Sequence, residues 1–379
     1  RVIRVKDMLL NRILAMKVVH DHLLKDEVNI HRFIHEAQVG AQLQHPNILP
    51  IYDVGILSSG HAYMTMAEIK GDSLHKHITA VHNQTSLAEW RDTTDGWNLH
   101  RLVSAFHDVC KAIAYTHQRG VVHRDLKPKN IMTGPFGEVL VVDWGLAKVI
   151  TDHELVASID TVRSESGAYE TAVGSVNGTP AYLAPELVTN DTRAANALTD
   201  LYALGVILYE ILRGKPAYHG NNIYQIMMQI ASEPQPGFGS DTPTDGKVQG
   251  LEVNNETGPV TYRGAALPLA LVEVCNKARA RDPNDRYQSV SELVEVIGQW
   301  LDGSRRHQEA LALVDEAKGM NGEILTKQTR AAELAEQARD LVATTLPWQP
   351  SDAKLEAWRR EDEATALRTE GMLKRFQQV

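Results

Sequence analysis

The chain has 379 residues, is 43% hydrophobic and 23% charged, and carries a formal net charge of −9. This leaves room for about two domains and a large core, and the acidic balance argues against binding nucleic acid through bulk charge. Cys110 and Cys275, the two cysteines, lie in apolar helical patterns, cannot build a disulfide framework and fit a reducing compartment.

No run approaches the ~20 apolar residues that span a bilayer, and no signal peptide is expected. The chain opens mid-pattern at Arg1 without an initiating Met and reads as a fragment of something longer. Arg1–Val5 and Ile13–Val19 are β-rich runs parted by polar residues, the pattern of a hairpin. Lys17 sits on the second run, where a lysine is usually just an outward-facing side chain. His31–Leu43 predicts a helix carrying Glu36, in isolation a solvated acid, and His45-Pro46 ends it. Ile48–Val54 and His61–Ile69 predict two further strands, and Gly71–Leu74 a turn into a helix start. From Asn98 to Gly120 an apolar stripe at helical spacing runs to a glycine stop.

The stretch His123-Arg124-Asp125-Leu126-Lys127-Pro128-Lys129-Asn130 then packs a base, cations and a carboxamide together. Asp125 can accept a proton, Lys127 can hold a phosphate and Asn130 can hold a metal ion. A hairpin of Ile131–Thr133 and Val139–Val142 follows, and Asp143-Trp144-Gly145 closes it with an acid on a tight turn. An acid and an amide flanking a short hairpin can share one Mg²⁺, which is what phosphoryl transfer needs.

Residues 150–177 are polar and aperiodic, a long loop of the kind that is functional or disordered. Leu198–Leu212 predicts a buried helix with Asp200 near its start, and 234–264 reads as a polar surface insertion. Leu267–Ala280 and Ser289–Leu301 predict two amphipathic helices. From Gly303 onward Ala, Glu, Gln, Arg and Leu dominate, with Pro347 and Pro350 interrupting. This predicts helices packed on the preceding domain or on each other rather than a long coiled coil, without a 34-residue repeat.

His123 to Asn130, Asp143 to Gly145 and Gly178 to Glu186, in this order and spacing, resemble the eukaryotic-like Ser/Thr protein kinases of bacteria, over roughly residues 1–302. The resemblance implies an α+β, bilobal fold: a small N-lobe over 1–66, a larger helical C-lobe over 67–302, and a helical extension or linker over 303–379. The N-lobe would lack its first strand and its glycine-rich loop, since the chain begins at Arg1-Val2 where that loop would end. Lys17 would hold the α/β-phosphates of ATP, with Glu36 as its ion-pair partner. Asp125 would orient the substrate hydroxyl and take its proton, Lys127 would neutralise the γ-phosphate, and Asn130 and Asp143 would hold Mg²⁺, with Mn²⁺ as an alternative. Met66 aligns with the gatekeeper, placing Ala67, Glu68 and Ile69 in the adenine-binding hinge, and Val2, Ala15 and Met132 would sandwich the base. His123 and Trp144 would belong to the buried column joining the lobes. Glu186 would pair with Arg286, and Asp200 would anchor the catalytic loop.

Arg124 before the catalytic Asp implies control by loop phosphorylation, with Thr171 and Ser175 the best-aligned positions; Thr179 before Pro180 points to a Ser/Thr rather than a Tyr kinase and, with the loop before it, would decide when Asp125 acts. Thr161, Ser164 and Ser166 align less well. Trp144 stands where the family usually has Phe, and Gly40 where it often has a bulky aliphatic, so the indole is expected to fill the room Gly40 leaves. The partners implied are ATP, protein substrates and a second copy for phosphorylation in trans. A cytoplasmic location is implied, with no nucleic acid. A second reading is a pseudokinase or scaffold that only binds partners. A third is a small-molecule phosphotransferase. The metal ligands and base together argue against the scaffold, and the long loop ending in Gly-Thr-Pro argues for a protein substrate.

Overall fold

Val2–Asp7 (β1), whose side chains alternate in exposure, pairs with Arg12–Val18 (β2) in an antiparallel hairpin. Its turn is pinned by Asp7, whose Oδ1 accepts from the amides of Leu9 and Leu10 at 3.1 Å each, and by Asn11 at φ 51°. Asn tolerates that left-handed backbone better than most residues. Ile51–Ile56 (β3) and Ala62–Ala67 (β4) complete a four-stranded sheet in the order β1-β2-β4-β3. Helix α1 (Glu27–Gln42) brings Phe33 and Ala37 into one apolar cluster with Val19, Ala62 and Met64. The structure, a computed structural model, describes residues 1–21, 27–85, 90–149, 180–189, 195–232, 234–238, 261–262, 265–343 and 352–377.

Beyond the sheet come β5 (Asp72–Ser73), α2 (Leu74–Gln84), α3 (Leu99–Gln118) and β6 (Val121–Val122). They are followed by β7 (Ile131–Thr133), β8 (Val139–Val141) and β9 (Lys148–Val149). Gly71–Ser73, read from sequence as a plain turn, contributes β5 to a small sheet in the order β5-β7-β8. Strand β6 pairs with β9, which fixes the two ends of the segment carrying the polar stretch and the Asp143 turn.

Helices α4 (Pro185–Thr189), α5 (Ala197–Arg213), α6 (Ile223–Ser232) and α7 (Leu269–Ala278) form the rest of this region. Every residue of α5 from Thr199 to Arg213 is buried, as expected of a helix apolar on all faces. An Asn196/Thr199 capping box starts it, and Gly214 at φ 72° ends it in a left-handed cap that glycine adopts without penalty. Cys110 and Cys275 are buried and unpaired, and burial pushes both thiols up, Cys275 to about 11.

Two sequence expectations need correction. The opening of the presumed insertion is part of the core: Phe238 is buried against Tyr209, ring centroids 5.0 Å apart, and Arg279 donates to the Pro236 carbonyl at 2.5 Å. The helix begun near Ser289 does not stop at Leu301 but runs as one element, α8, from Val290 to Ala343. Gly303, Gly319 and Gly322 cost it about 1 kcal/mol each, yet its remaining residues are mostly good helix formers, and no proline interrupts until Pro347.

The chain divides into two compact units, Arg1–Leu301 and Asp302–Val379. In the second, α8 runs antiparallel to α9 (Asp352–Gln377), as the ion pairs Lys327–Glu370 and Lys374–Glu323 require. Ala331, Leu334, Ala335 and Ala364 are its core, with Leu367 packed alongside. The helices of this unit pack on each other. Among the described residues no helix is long and apolar enough to cross a membrane.

Candidate active site

Lys17 projects from β2 into the first unit's cleft, and Glu36 meets it from α1. Lys17 Nζ donates to Glu36 Oε1 at 2.6 Å and to Oε2 at 2.8 Å. Burial pushes the Glu36 carboxyl above its ordinary range, against the pull of the Lys17 ammonium. Burial thus disfavours the charged form, and the ammonium sitting on both oxygens opposes that.

Opposite lies the loop 123–130. Its backbone hangs on Asp200, whose Oδ2 accepts from the His123 amide at 2.8 Å and whose Oδ1 accepts from the Arg124 amide at 2.9 Å. His117, in the apolar stripe of α3, completes the anchor with Nε2 at 2.9 Å from Asp200 Oδ2. Burial alone would raise the Asp200 carboxyl, but His117, His123 and the loop amide outweigh it and hold it below the usual range. These bonds keep Arg124 at φ 69°, a left-handed backbone that costs a non-glycine residue on the order of 1–3 kcal/mol.

The same loop presents three side chains as one network. Lys127 Nζ donates to Asp125 Oδ2 at 2.6 Å, and Asn130 Nδ2 donates to the Asp125 carbonyl at 2.9 Å and to Oδ2 at 3.1 Å. Two donors thus converge on Oδ2, which orients the carboxylate. Because Asn130 spends its NH₂ on Asp125, its Oδ1 is the atom of the amide left to face a cation.

The hairpin β7–β8 delivers Asp143, and the Val142 amide donates back to the Asn130 carbonyl at 2.9 Å. Asp143 has φ 68° and is exposed. No hydrogen bond or ion pair joins its carboxylate to another described residue. A Cβ on Gly145 would lie 3.2 Å from Glu36 Oε2 and 3.4 Å from Asp143 Oδ1, so glycine is what lets α1 and the turn approach this closely. Lys17, Glu36, Asp125, Asp143 and Gly145 line one cleft of about 340 Å³.

An unspent carboxylate and an amide oxygen are hard donors, suited to Mg²⁺ when water and phosphate oxygens complete its shell. Among the described residues no group of three or more His, Cys, Asp or Glu could hold a metal ion alone. The donor set therefore fits a metal carried in with a phosphate ligand.

His123 and Trp144 are both buried, their rings 4.5 Å apart. Burial lowers the His123 imidazole, and the two hydrogen bonds fit a ring protonated on Nε2: Nδ1 accepts from the Asp125 amide at 3.3 Å and Nε2 donates to the Val142 carbonyl at 3.3 Å. The expected pairing of Trp144 with Gly40 is wrong. A Cβ on Gly40 would meet Ile51 Cδ1 at 2.5 Å, and among the described residues the only atoms within 4 Å belong to Ile51. The space beside Gly40 is taken by β3, and the indole Nε1 of Trp144 is buried without a hydrogen-bond partner among the described residues.

Arg286 grips Glu186 through two bonds of 2.7 Å and also donates to the Leu198 and Ala280 carbonyls. In the strand register Ala15 faces Met66 and Val2 faces Lys17, while Met132 lies on the other sheet opposite Ser73. Val2, Ala15, Met66 and Met132 are not among the residues lining the 340 Å³ cleft. Of the segment Ala67–Ile69, Glu68 is tied to Arg4 by an ion pair of 2.7 Å. Thr171, Ser175 and Thr179, with Thr161, Ser164 and Ser166, lie outside the described residues.

Sequence reasoning missed four participants. His117 gave only the signal of a histidine on an apolar helical stripe. Tyr182 donates to the buried Glu210 at 2.5 Å, and His75 reaches the same carboxylate at 3.1 Å. Arg32 lines the cleft and donates through Nε to the Gly145 carbonyl at 3.0 Å. Its position one helical turn before Glu36 was the available clue.

The family model described as "Protein kinase domain" matches residues 1–296. The chain is 35% identical over 295 residues to the serine/threonine-protein kinase PknD of Protochlamydia amoebophila, covering 77% of this chain and 28% of that protein. It is 32% identical over 299 residues to the protein of the same name from Chlamydia pneumoniae, covering 79% and 29%. With the Chlamydia felis protein of that name the identity is 33% over 302 residues, covering 79% and 29%. The chain thus spans less than a third of the length of these curated relatives.

Proposed function

The chain belongs to the protein kinase family, among the eukaryotic-like Ser/Thr kinases of bacteria, and from that premise we propose that it transfers the γ-phosphate of ATP to serine and threonine hydroxyls of proteins. The observation that carries this is the convergence of the Lys17–Glu36 pair, Asp125 and Asp143 on one cleft. Phosphoryl transfer passes through a loose, highly charged transition state, so positioning and cations matter more than covalent chemistry.

In this reading Lys17, fixed by Glu36, holds the α/β-phosphates. Asp125, its carboxylate oriented by Lys127 and Asn130, aligns the incoming hydroxyl and accepts its proton. Lys127, already at 2.6 Å from Asp125, is placed to follow charge from the base to the γ-phosphate. Asn130 Oδ1 and the Asp143 carboxylate hold Mg²⁺, or Mn²⁺ in its place, and the bound metal supplies neutralisation of phosphate charge. Ala67, Glu68 and Ile69 take adenine through their backbone, with Val2, Ala15 and Met132 around the base. Met66 sits behind it as gatekeeper. His123 and Trp144 join the lobes, which divide near residues 66 and 67 and end near 302. The helical segment after 302 acts as an extension or linker.

Regulation follows from Arg124: a phosphate on Thr171 or Ser175 would pair with its guanidinium, and Thr179 would meet the substrate hydroxyl. Phosphorylation in trans between two copies and a cytoplasmic site of action belong to the same proposal. Retention of the base and both metal ligands favours this over a scaffold.

The test is phosphorylation by ATP and Mg²⁺ read by mass spectrometry on the full-length protein. Asp125→Asn should lower incorporation by a factor of about 10²–10⁴, the usual weight of general-base catalysis. Undiminished labelling in Asp125→Asn would remove Asp125 from its role, and no labelling of the protein itself or of a basic substrate would favour the scaffold.

A further inference from the structure

The loop that carries Asp125 also carries a cation with no task inside the protein. Lys127 is bonded to Asp125 at 2.6 Å. Lys129 is exposed, and no hydrogen bond or ion pair joins its ammonium to another described residue. Nor is it among the residues lining the 340 Å³ cleft, where Lys17 and Arg32 supply the cations. The short 3₁₀ turn Pro128–Asn130 holds Lys129 beside Asn130, and β5 and α2 pack against that turn. Those two elements carry a single acid, Asp72, and Lys76 holds it at 2.8 Å. Residues 72–84 and 123–130 together hold four Lys and Arg against two Asp, in a chain whose net charge is −9. The surface beside the base is thus locally basic.

Lys129 lies four residues after Asp125. At ~3.3 Å per residue an extended peptide whose hydroxyl meets Asp125 therefore passes Lys129 within about four residues of its acceptor. An acidic side chain there meets an unspent ammonium and no competing free carboxylate on β5 or α2, whereas an arginine meets repulsion. Resting on the kinase reading above, we propose that Lys129 is a specificity-determining residue, which pairs with an Asp or Glu of the substrate and turns the site toward acidic sequences. The sequence supplies a second, independent observation. Residues 150–177 hold five Asp and Glu against one Arg, and an acid stands directly before Thr161, Ser166 and Thr171. A second copy of the chain, the partner proposed for phosphorylation in trans, thus offers acceptors of the kind Lys129 selects.

The experiment measures kcat/KM of the full-length protein, with ATP and Mg²⁺, on three peptides. Each has one threonine flanked, within four residues on both sides, by Glu, by Gln or by Arg. Wild type should favour the Glu peptide over the Gln peptide about fivefold, the upper weight of an exposed ion pair, and should disfavour the Arg peptide. Lys129→Gln should bring the Glu and Gln peptides within about twofold of each other, and Lys129→Glu should favour Arg. Lys129→Arg, which keeps the charge, should keep the Glu preference. Each reading is a ratio within one variant, so a loss common to all substrates cancels. A wild type that treats the three peptides alike overturns the proposal. A Glu preference that survives in Lys129→Glu also overturns it, because the selecting cation would then lie elsewhere. Transfer neither to any peptide nor to the protein itself would sink the kinase reading and this one with it, whereas transfer without discrimination sinks Lys129 alone.

Discussion

Single side chains in this cleft are held where function wants them rather than where stability does. Glu36 is the clearest instance, since burial raises its carboxyl above the ordinary value of 4.5 despite Lys17. A carboxyl with a raised folded pKa contributes stability below its unfolded pKa and loses it as pH rises through the folded one. At pH 7 the charged Glu36 is thus a net cost, which Gln would relieve while keeping the shape. Glu36→Gln should therefore melt at or above the wild-type temperature at pH 7, and the difference should shrink as pH falls toward the raised pKa. Phosphate transfer should fall about 10-fold or more, since Lys17 loses the group that aims it. Parallel melting curves from pH 4 to 8 and initial rates would check this, and a clear drop in melting temperature at pH 7 would contradict it. Asp200 has the opposite sign: its lowered carboxyl contributes stability above the unfolded pKa that is lost as pH falls.

At this scale the sequence announced the side chains proposed to act in the cleft but not their partners. Lys17, Asp125, Asn130 and Asp143 carried motif spacing, whereas Arg32 and His117 act through carbonyls and carboxylates distant in the chain. Gly40 misled for the same reason: the side chain that fills its space, Ile51, comes from another strand.

At the scale of elements, what positions the cleft is the close packing of α5 against α7. Gly205 sits mid-helix in α5, where a Cβ would lie 2.9 Å from the Arg279 amide nitrogen and 3.0 Å from the Ala278 carbonyl carbon. Both are backbone atoms and cannot turn aside. Glycine normally costs a helix about 1 kcal/mol relative to alanine, so on propensity alone Gly205→Ala should stabilise. The clash reverses the sign, and overpacking of this kind costs about 1–3 kcal/mol. Urea unfolding should show a lower midpoint with an unchanged slope, and a stabilised variant would mean the helices are not locked. Because α5 also carries Asp200, a displaced helix should slow phosphate transfer as well. Helices such as α3 and α5 were legible because long apolar periodicity needs only local information. The two-residue strands β5, β6 and β9 were not, since pairing with distant partners defines them. The run of α8 past Gly303 was hidden by a composition change that altered which face was apolar without breaking the helix.

One helix, α8, runs through both units, and among its described side chains from Asp302 to Gly319 most are exposed, with no described atom within 4 Å of a Cβ at Gly303 or Gly319. Each unit has a buried apolar cluster of its own, so the units should melt as two transitions rather than one. Ligand binding separates them. ATP and Mg²⁺ at a hundredfold excess over Kd add about 2.7 kcal/mol to whatever folds around the cleft and nothing to the rest. Ala364 provides the complementary perturbation, since it is fully buried in the α8–α9 seam among Ala331, Leu334 and Ala335. The alanines there leave no room for a long cation, and burying one unpaired is costly. In Ala364→Arg, calorimetry should show the ligand-insensitive transition lowered or lost and the ligand-sensitive one unmoved, with phosphate transfer to a generic substrate within about twofold of wild type. A single transition that shifts as a whole, or activity lost together with the seam, would make the helical unit part of the catalytic body.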